Sequence, residues 1–196
     1  MLLTRYPELA AAVAQRRAFG VDRSRGERRS PGLYDVTMPG LNYRMSELQA
    51  ALGHSQLGRL VENLERRSAN FQALSSGLSK HPSVRILDAV APQAASSHYC
   101  LVLVLEGVLG GRRAELMDRL KSAGVETSIY YPHPVPRFSF YREKYACPVR
   151  GYATAASLSD QSVALPVGPH LNERDVIRMI AALDHVLAEL GAGAAL

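Results

Sequence analysis

The sequence predicts a small α/β domain with a mainly antiparallel sheet, preceded by helices that belong to something larger. Three observations carry this. A continuous apolar run at residues 99–105 reads as a strand buried on both faces, flanked by shorter extended segments. Several stretches repeat apolar residues at three-to-four spacing, the mark of amphipathic helices packed on a core. At 196 residues, with 47% apolar and 21% charged side chains, the chain is long enough for one compact unit plus extensions and greasy enough to bury a core.

The elements follow in order. Met1-Leu2-Leu3-Thr4 looks like a short strand, leading into a helix over residues 4–19 with Pro7 in its first turn, Leu9, Ala12, Val13 and Arg16 at helical spacing, and Gly20 as its stop. Residues 21–40 show no period; Arg23, Arg25, Arg28 and Arg29 make this a long basic loop, of the length that tends to be functional. Ser46 with Gln49 forms a capping-box pattern. Leu48, Leu52, Leu60, Leu64, Phe71, Leu74 and Leu78 then keep helical spacing, predicting one helix over residues 46–79, of roughly 45 Å at ~1.5 Å per residue. Such a length bridges domains, and its apolar residues would be exposed unless a partner covered them.

After Lys80-His81-Pro82, a strand is predicted at residues 84–87 and the central one at 99–105. A helix follows at 112–122 with Leu116, Met117 and Leu120 inward, then an alternating strand through Val125, Thr127, Ile129 and Tyr131. Residues 132–148 read as an aromatic, proline-punctuated loop, with a short helix near 152–157 and an extended Val163-Ala164-Leu165-Pro166. Asn172 with Asp175 caps a last helix that buries Val176, Ile177, Ile180, Leu183, Leu187 and Leu190. Residues 191–196 are expected as a disordered tail.

Composition excludes several classes. No stretch approaches the ~20 apolar residues of a membrane span, and no basic-then-apolar leader opens the chain, so a cytoplasmic protein is expected. Cys100 and Cys147 are far apart and outside any C-x-x-C spacing, and are expected as reduced thiols. The six histidines form no metal-ligand pair, so no metal site is predicted. The net charge of +5 rests on 20 arginines against three lysines (Lys80, Lys121, Lys144). Arginine's planar fork suits phosphate, although an arginine excess can equally be compositional. There is no G-x-S-x-G, no P-loop, no G-x-G-x-x-G after a strand and no paired-carboxylate site, so no self-contained catalytic centre is predicted.

Two constellations remain. Gly40-Leu41-Asn42-Tyr43-Arg44 stands directly before a helix, where unpaired N–H groups and a partial positive charge, joined by an amide and a guanidinium, make a phosphate seat. The plain alternative is a glycine turn with a surface arginine. Tyr130-Tyr131-Pro132-His133-Pro134-Val135-Pro136-Arg137, followed by Phe138, Phe140 and Tyr141, has the stiff backbone and stacking faces of a binding loop. Its alternative is Tyr131 and Phe140 in a core and Arg137 in solvent. Leu165-Pro166-Val167-Gly168-Pro169-His170 reads as a structural turn.

The run from Gly40 through Asn42-Tyr43-Arg44-Met45-Ser46-Glu47-Leu48-Gln49-Ala50-Ala51-Leu52-Gly53, with Gln56-Leu57 and Arg66-Arg67, resembles the signature of the DegT/StrS family of pyridoxal-phosphate-dependent sugar aminotransferases. The likeness continues through Gly124-Val125, Tyr131-Pro132, Tyr141, Cys147-Pro148 and Leu165-Pro166, and so spans nearly the whole chain. It implies the small C-terminal α/β domain of a fold type I aminotransferase, preceded by a bridging helix and a remnant of the large cofactor domain. The implied layout is 1–45 for the remnant and basic loop, 46–79 for the inter-domain helix and 80–190 for the small domain.

The resemblance further implies a homodimer that moves an amino group from glutamate to a nucleotide-linked keto-sugar in amino-sugar, polysaccharide or antibiotic biosynthesis. Asn42 and Arg44 would reach the phosphate of the partner's pyridoxal phosphate, and Tyr131, His133 and Arg137 would lie near the sugar-nucleotide. The chain departs from the pattern in two ways. The family's cofactor lysine lies in the large domain, upstream of a segment like Met1-Leu2-Leu3-Thr4, and Lys80, Lys121 and Lys144 have the wrong neighbours to replace it. A family histidine after the Tyr-Pro stretch is replaced by Pro136. The expectation is therefore a C-terminal portion with no catalytic residue of its own, no covalently bound cofactor and no activity without an N-terminal cofactor domain. The alternatives are part of a lysine-free dehydratase relative, or a non-catalytic module binding phosphate or nucleic acid, for which no recognisable nucleic-acid fold is present.

Overall fold

The computed structural model describes residues 2–22, 30, 33–88, 93–148 and 150–193, and the chain divides into two units, 1–58 and 59–196. Met1 and the Arg23, Arg25, Arg28 and Arg29 cluster lie outside the described residues.

The first unit contains α1 (Pro7–Arg16) and α2 (Glu47–Leu57). Pro7 occupies the first turn of α1, where its missing N–H costs nothing, but Leu2 to Thr4 pair with nothing as a strand. Neither helix has a buried residue, and Leu48 at 84% and Leu52 at 64% face outward. The unit is held mainly by backbone. Phe19 N–H donates to Leu41 O at 3.1 Å, Leu41 N–H to Arg16 O at 2.8 Å and Tyr43 N–H to Arg17 O at 2.9 Å, while Gln15 Nε2 donates to Thr37 Oγ1 at 2.6 Å.

The predicted continuous helix over 46–79 is instead two. α2 opens on the expected capping box, with Ser46 Oγ accepting from Gln49 N and Gln49 Oε1 accepting from Ser46 N. It ends at Leu57, and α3 (Leu60–Leu78) begins after Arg59, whose ψ of 2° has left the helical basin. Gly53 and Gly58 fall within six residues, each costing roughly 1 kcal/mol of helix propensity, and leucine spacing alone does not reveal that weakness.

The second unit is built on an antiparallel sheet of β1 (Val84–Leu87), β2 (Leu101–Leu105) and β3 (Ser162–Leu165), in that order. β2 is central, with Leu103 opposite both Ile86 and Val163. Alternation sends Leu101, Leu103 and Leu105 to the face covered by α3, α4 (Arg113–Ser122) and α7 (Glu173–Ala192). α6 (Ala153–Gln161) also packs against β2, where Val104 is buried, so the strand is indeed covered on both sides. The core joins Phe71, Leu74 and Leu78 of α3 with Leu116 and Leu120 of α4 and Val176, Met179, Leu183, Val186, Leu187 and Leu190 of α7.

Four further expectations are corrected. The alternating run after Gly124 makes only one bridge, Ser128 with Ala164, because Val125 alone among its alternate residues is buried. The loop at 132–148 contains α5 (Ser139–Tyr145), ended by Ala146 in the left-handed region at φ 49°. Ile177 is 58% exposed; Met179 and Val186 take core places because the buried stripe is rotated from the one read in the sequence. The tail is helical through Ala192 and capped at Gly193, and 194–196 lie outside the described residues. The Asn172 and Asp175 capping box forms as expected.

Asp184 of α7 clasps the end of α3: Lys80 Nζ donates to Oδ2 at 2.6 Å, and His81 Nε2 lies 2.7 Å from Oδ1. Lys80, then His81, hold its carboxyl below the usual carboxylate range. Because the folded-state value is the lower one, the stabilisation is complete above the unfolded value of about 3.9 and vanishes as pH falls through the folded value. In urea titrations, Asp184→Asn is expected to be less stable than wild type near neutral pH and to converge with it in acid; a pH-independent gap would contradict the clasp. In the same titrations Leu183→Ala should cost about 2–5 kcal/mol, and Ile177→Ala less than about 0.5 kcal/mol.

Candidate functional site

Asn42 and Arg44 stand in an extended segment of the first unit that runs back along the end of α1. Its position depends on two glycines. Gly20 has φ +74°, and a Cβ there would lie 1.8 Å from Met38 O. A Cβ on Gly40 would lie 2.2 Å from Gly20 N and 2.4 Å from Phe19 C. Two stretches of main chain therefore touch directly, and the Ala18 to Asn42 bridge fixes the register beyond the contact.

Asn42 makes the isolated bridge to Ala18 and Arg44 follows two residues on, with Tyr43 N–H between them bonded to Arg17 O. The Arg44 guanidinium lies 5.2 Å from the centre of the Phe19 ring and has no carboxylate partner among the described residues. It lines a cavity of about 600 Å³ with Gln15, Arg17, Val21 and Asp22. At α2 the capping box already satisfies two of the N–H groups expected to hold an anion, so this arrangement relies on the side chains more than on the helix end.

Tyr131, His133 and Arg137 lie on one segment of the second unit, between the Ser128 bridge and α5, and each meets a different partner. The Tyr130 ring meets Tyr99 on one side at 5.8 Å and Tyr131 on the other at 5.6 Å, both edge to face. Tyr131 is 69% exposed and so does not join the core. His133 faces Phe138 at 6.1 Å. Arg137, ending a short 3₁₀ turn (Val135–Arg137), is not solvated: Nη1 donates to both carboxylate oxygens of Asp160, at 2.9 and 2.8 Å. That pair ties the loop to α6, so much of the Arg137 charge is answered inside the fold. Neither Asp160 nor Phe19 carries any sequence signal for these roles, since each lies more than twenty residues from the arginine it meets.

Residues 1–184 match the DegT/DnrJ/EryC1/StrS aminotransferase family, and the chain belongs to that family. It is 32% identical over 193 residues to the erythromycin biosynthesis sensory transduction protein EryC1 of Saccharopolyspora erythraea, covering 98% of this chain and 46% of that protein. It is 31% identical over 182 residues to dTDP-3-amino-3,4,6-trideoxy-alpha-D-glucose transaminase of Streptomyces venezuelae, covering 93% and 44%. Its fold matches DesV from S. venezuelae with a TM-score of 0.79 at 28% identity, over 94% of this chain and 46% of that one. The chain thus spans a little under half the length of these relatives.

The glycine contact makes a direct demand. Gly40→Ala is expected to push the 38–44 segment off α1, seen as faster hydrogen exchange at the Phe19, Leu41 and Tyr43 amides with the second unit's core amides unchanged. Unchanged exchange at those three amides would show that the close approach is not required.

Proposed function

We propose that this chain is the C-terminal portion of a pyridoxal-phosphate-dependent aminotransferase that acts on a nucleotide-linked keto-sugar. The observation that carries the reading is that the chain belongs to the family; it is supported by a main-chain-bonded 38–44 segment that bears Asn42 and Arg44, the latter without a carboxylate partner among the described residues.

The residues fit one end of the cofactor and not the other. A guanidinium without a carboxylate partner and a neighbouring amide suit a phosphate, by charge and by donor number. The aldehyde end needs an amine, and all three lysines lie in the second unit in other settings. Lys80 is paired with Asp184, Lys121 sits in the last turn of α4, and Lys144 lies over the Phe140 and Tyr145 rings. Pyridoxal phosphate, when bound, supplies the electron sink for moving an amino group. The tasks left to this chain are binding and orientation. Arg44 and Asn42 hold the phosphate of a cofactor in a partner subunit of a homodimer, with the amine supplied by a separate cofactor domain. Tyr131 and His133 offer a ring face and a titratable nitrogen to the sugar-nucleotide, and Arg137 fixes the loop bearing them through Asp160.

The test is complementation. The chain alone, treated with pyridoxal phosphate and borohydride, is expected to retain no covalent pyridoxyl group at a specific site and to show no transamination. Co-expressed with a lysine-bearing large domain of a family member, it should support amino transfer from glutamate to a nucleotide keto-sugar. Arg44→Ala should weaken cofactor retention at least tenfold, the scale of a lost charge-assisted hydrogen bond of about 1.5–3 kcal/mol. Activity by the chain alone would overturn the division of labour, and an inactive complex that still holds the cofactor would overturn the aminotransferase reading.

A further inference from the structure

A second cavity, of about 330 Å³, lies wholly within the C-terminal unit and is not used by the reading above. Its floor is the buried stretch Ala164, Leu165, Val167 and Gly168, where β3 leaves the sheet and turns toward α7. Asn70 of α3 holds that turn from behind, donating through Nδ2 to Gly168 O at 3.1 Å and to Val167 O and Leu171 O at 3.5 Å. The floor is therefore apolar and fixed, and the polar groups stand on the rim.

Arg67 supplies the guanidinium. Its Nη1 is pinned by two main-chain carbonyls, His98 O at 3.4 Å and Tyr99 O at 3.2 Å, and the group lies 6.0 Å from the centre of the Tyr99 ring. No acceptor meets its Nε or Nη2 among the described residues, and no carboxylate there neutralises it. Opposite in charge, Glu126 lies on the same lining with no ion-pair partner among the described residues. Tyr99, Thr127, Ser128 and Tyr130 bring hydroxyl-bearing side chains to that lining, which Cys100 and His170 also share. The Tyr130 ring meets the Tyr99 ring edge to face at 5.8 Å, which sets the two phenols side by side, and the Tyr99 phenol pushes the Tyr130 pKa upward.

One pinned cation, one anion and neighbouring hydroxyls over a dry floor match a zwitterion better than a dianion, because a phosphate would meet a single guanidinium and be repelled by the carboxylate. The volume is at the lower end of ligand sites and suits a molecule of a few heavy atoms. We propose that this cavity binds a small α-amino acid, its carboxylate on Arg67 and the Tyr130 hydroxyl and its ammonium on Glu126. The inference concerns residues of the C-terminal unit alone and does not rest on the aminotransferase reading.

The experiment is an amide-shift titration of the full chain with L-alanine, propionate and inorganic phosphate as probes. L-Alanine is expected to shift the Tyr99, Ser128, Tyr130 and Gly168 amides saturably, with propionate weaker and phosphate without saturable effect. Glu126→Gln, at an exposed position, should erase the preference for L-alanine over propionate, and Tyr130→Phe should weaken both several-fold. Arg67→Gln should abolish binding; because Arg67 also holds two carbonyls, the Glu126 and Tyr130 variants test the site if that protein fails to fold. No saturable shift with L-alanine, phosphate bound in preference, or a Glu126→Gln protein with unaltered preference would each overturn the proposal. None of these readouts involves cofactor or turnover, so failure here and failure of complementation are separate results.

Discussion

Leu101, Leu103 and Leu105 share one face of the central strand, and three helices lean on that face together. All three side chains are fully buried, as are Leu74, Leu116, Leu120 and Leu183 above them. At about 25 cal/mol per Å² of apolar surface removed from water, this contact is the main source of stability for the C-terminal unit. What surrounds it is positioned by it. The β3 end that floors the second cavity, the Asn70 bonds across the turn and the Asp184 clasp all join elements whose separation the leucines have already set. At Gly77 the closeness is visible: a Cβ there would lie 2.8 Å from the Ile180 side chain, so Ile180 of α7 packs directly on the main chain of α3.

The first unit is organised on a different principle. Its described helices bury no side chain, and Leu3, Leu41, Tyr43, Met45 and Leu57 are all more than half exposed. Hydrogen bonds between stretches of main chain give it shape, but such bonds contribute only about 0.5–1.5 kcal/mol each against the entropy of ordering the chain. An apolar cavity of about 820 Å³ opens between α1 and the 39–45 segment. A unit with this balance has the local geometry for presenting Asn42 and Arg44 without an apolar interior of its own.

Most of the architecture could be read from the sequence because it follows from local patterns. Both capping boxes, the antiparallel strands at 84–87 and 101–105, α4 and the last helix rest on spacings of two to four residues. Two of the three main failures came where a distant residue decides, and one was local. The break at Gly58 and Arg59 needed the summed cost of two glycines set against an intact leucine pattern. The missing strand at 125–131 needed a partner that β3 supplies at one position only. Ile177 and Met179 exchange places because α7 packs against α3 and α4, an orientation that no periodicity fixes to within one residue. For the site, the family likeness singled out Asn42 and Arg44 as candidates, while the reason for Gly40 became visible only in its 2.2 Å approach to Gly20 N.

Part of the arginine excess, ambiguous as composition, resolves when guanidinia among the described residues are followed to their partners. Arg85 pairs with Glu106, Arg112 and Arg119 with Glu115, and Arg119 again with Glu189. Arg112 also donates to Leu190 O near the end of α7, where a cation complements the helix dipole. Arg137 directs its charge at Asp160. These side chains hold the fold, and an incoming anion would have to displace a carboxylate to use them. Arg44 and Arg67 differ in kind: each is oriented by neutral groups, an aromatic ring for one and two carbonyls for the other, which fix the guanidinium without cancelling its charge. Orientation without neutralisation is what a binding arginine requires, since the desolvation cost is then recovered only when a ligand arrives. Among the described residues Arg44 and Arg67 meet that criterion, whereas Arg137 is paired with Asp160.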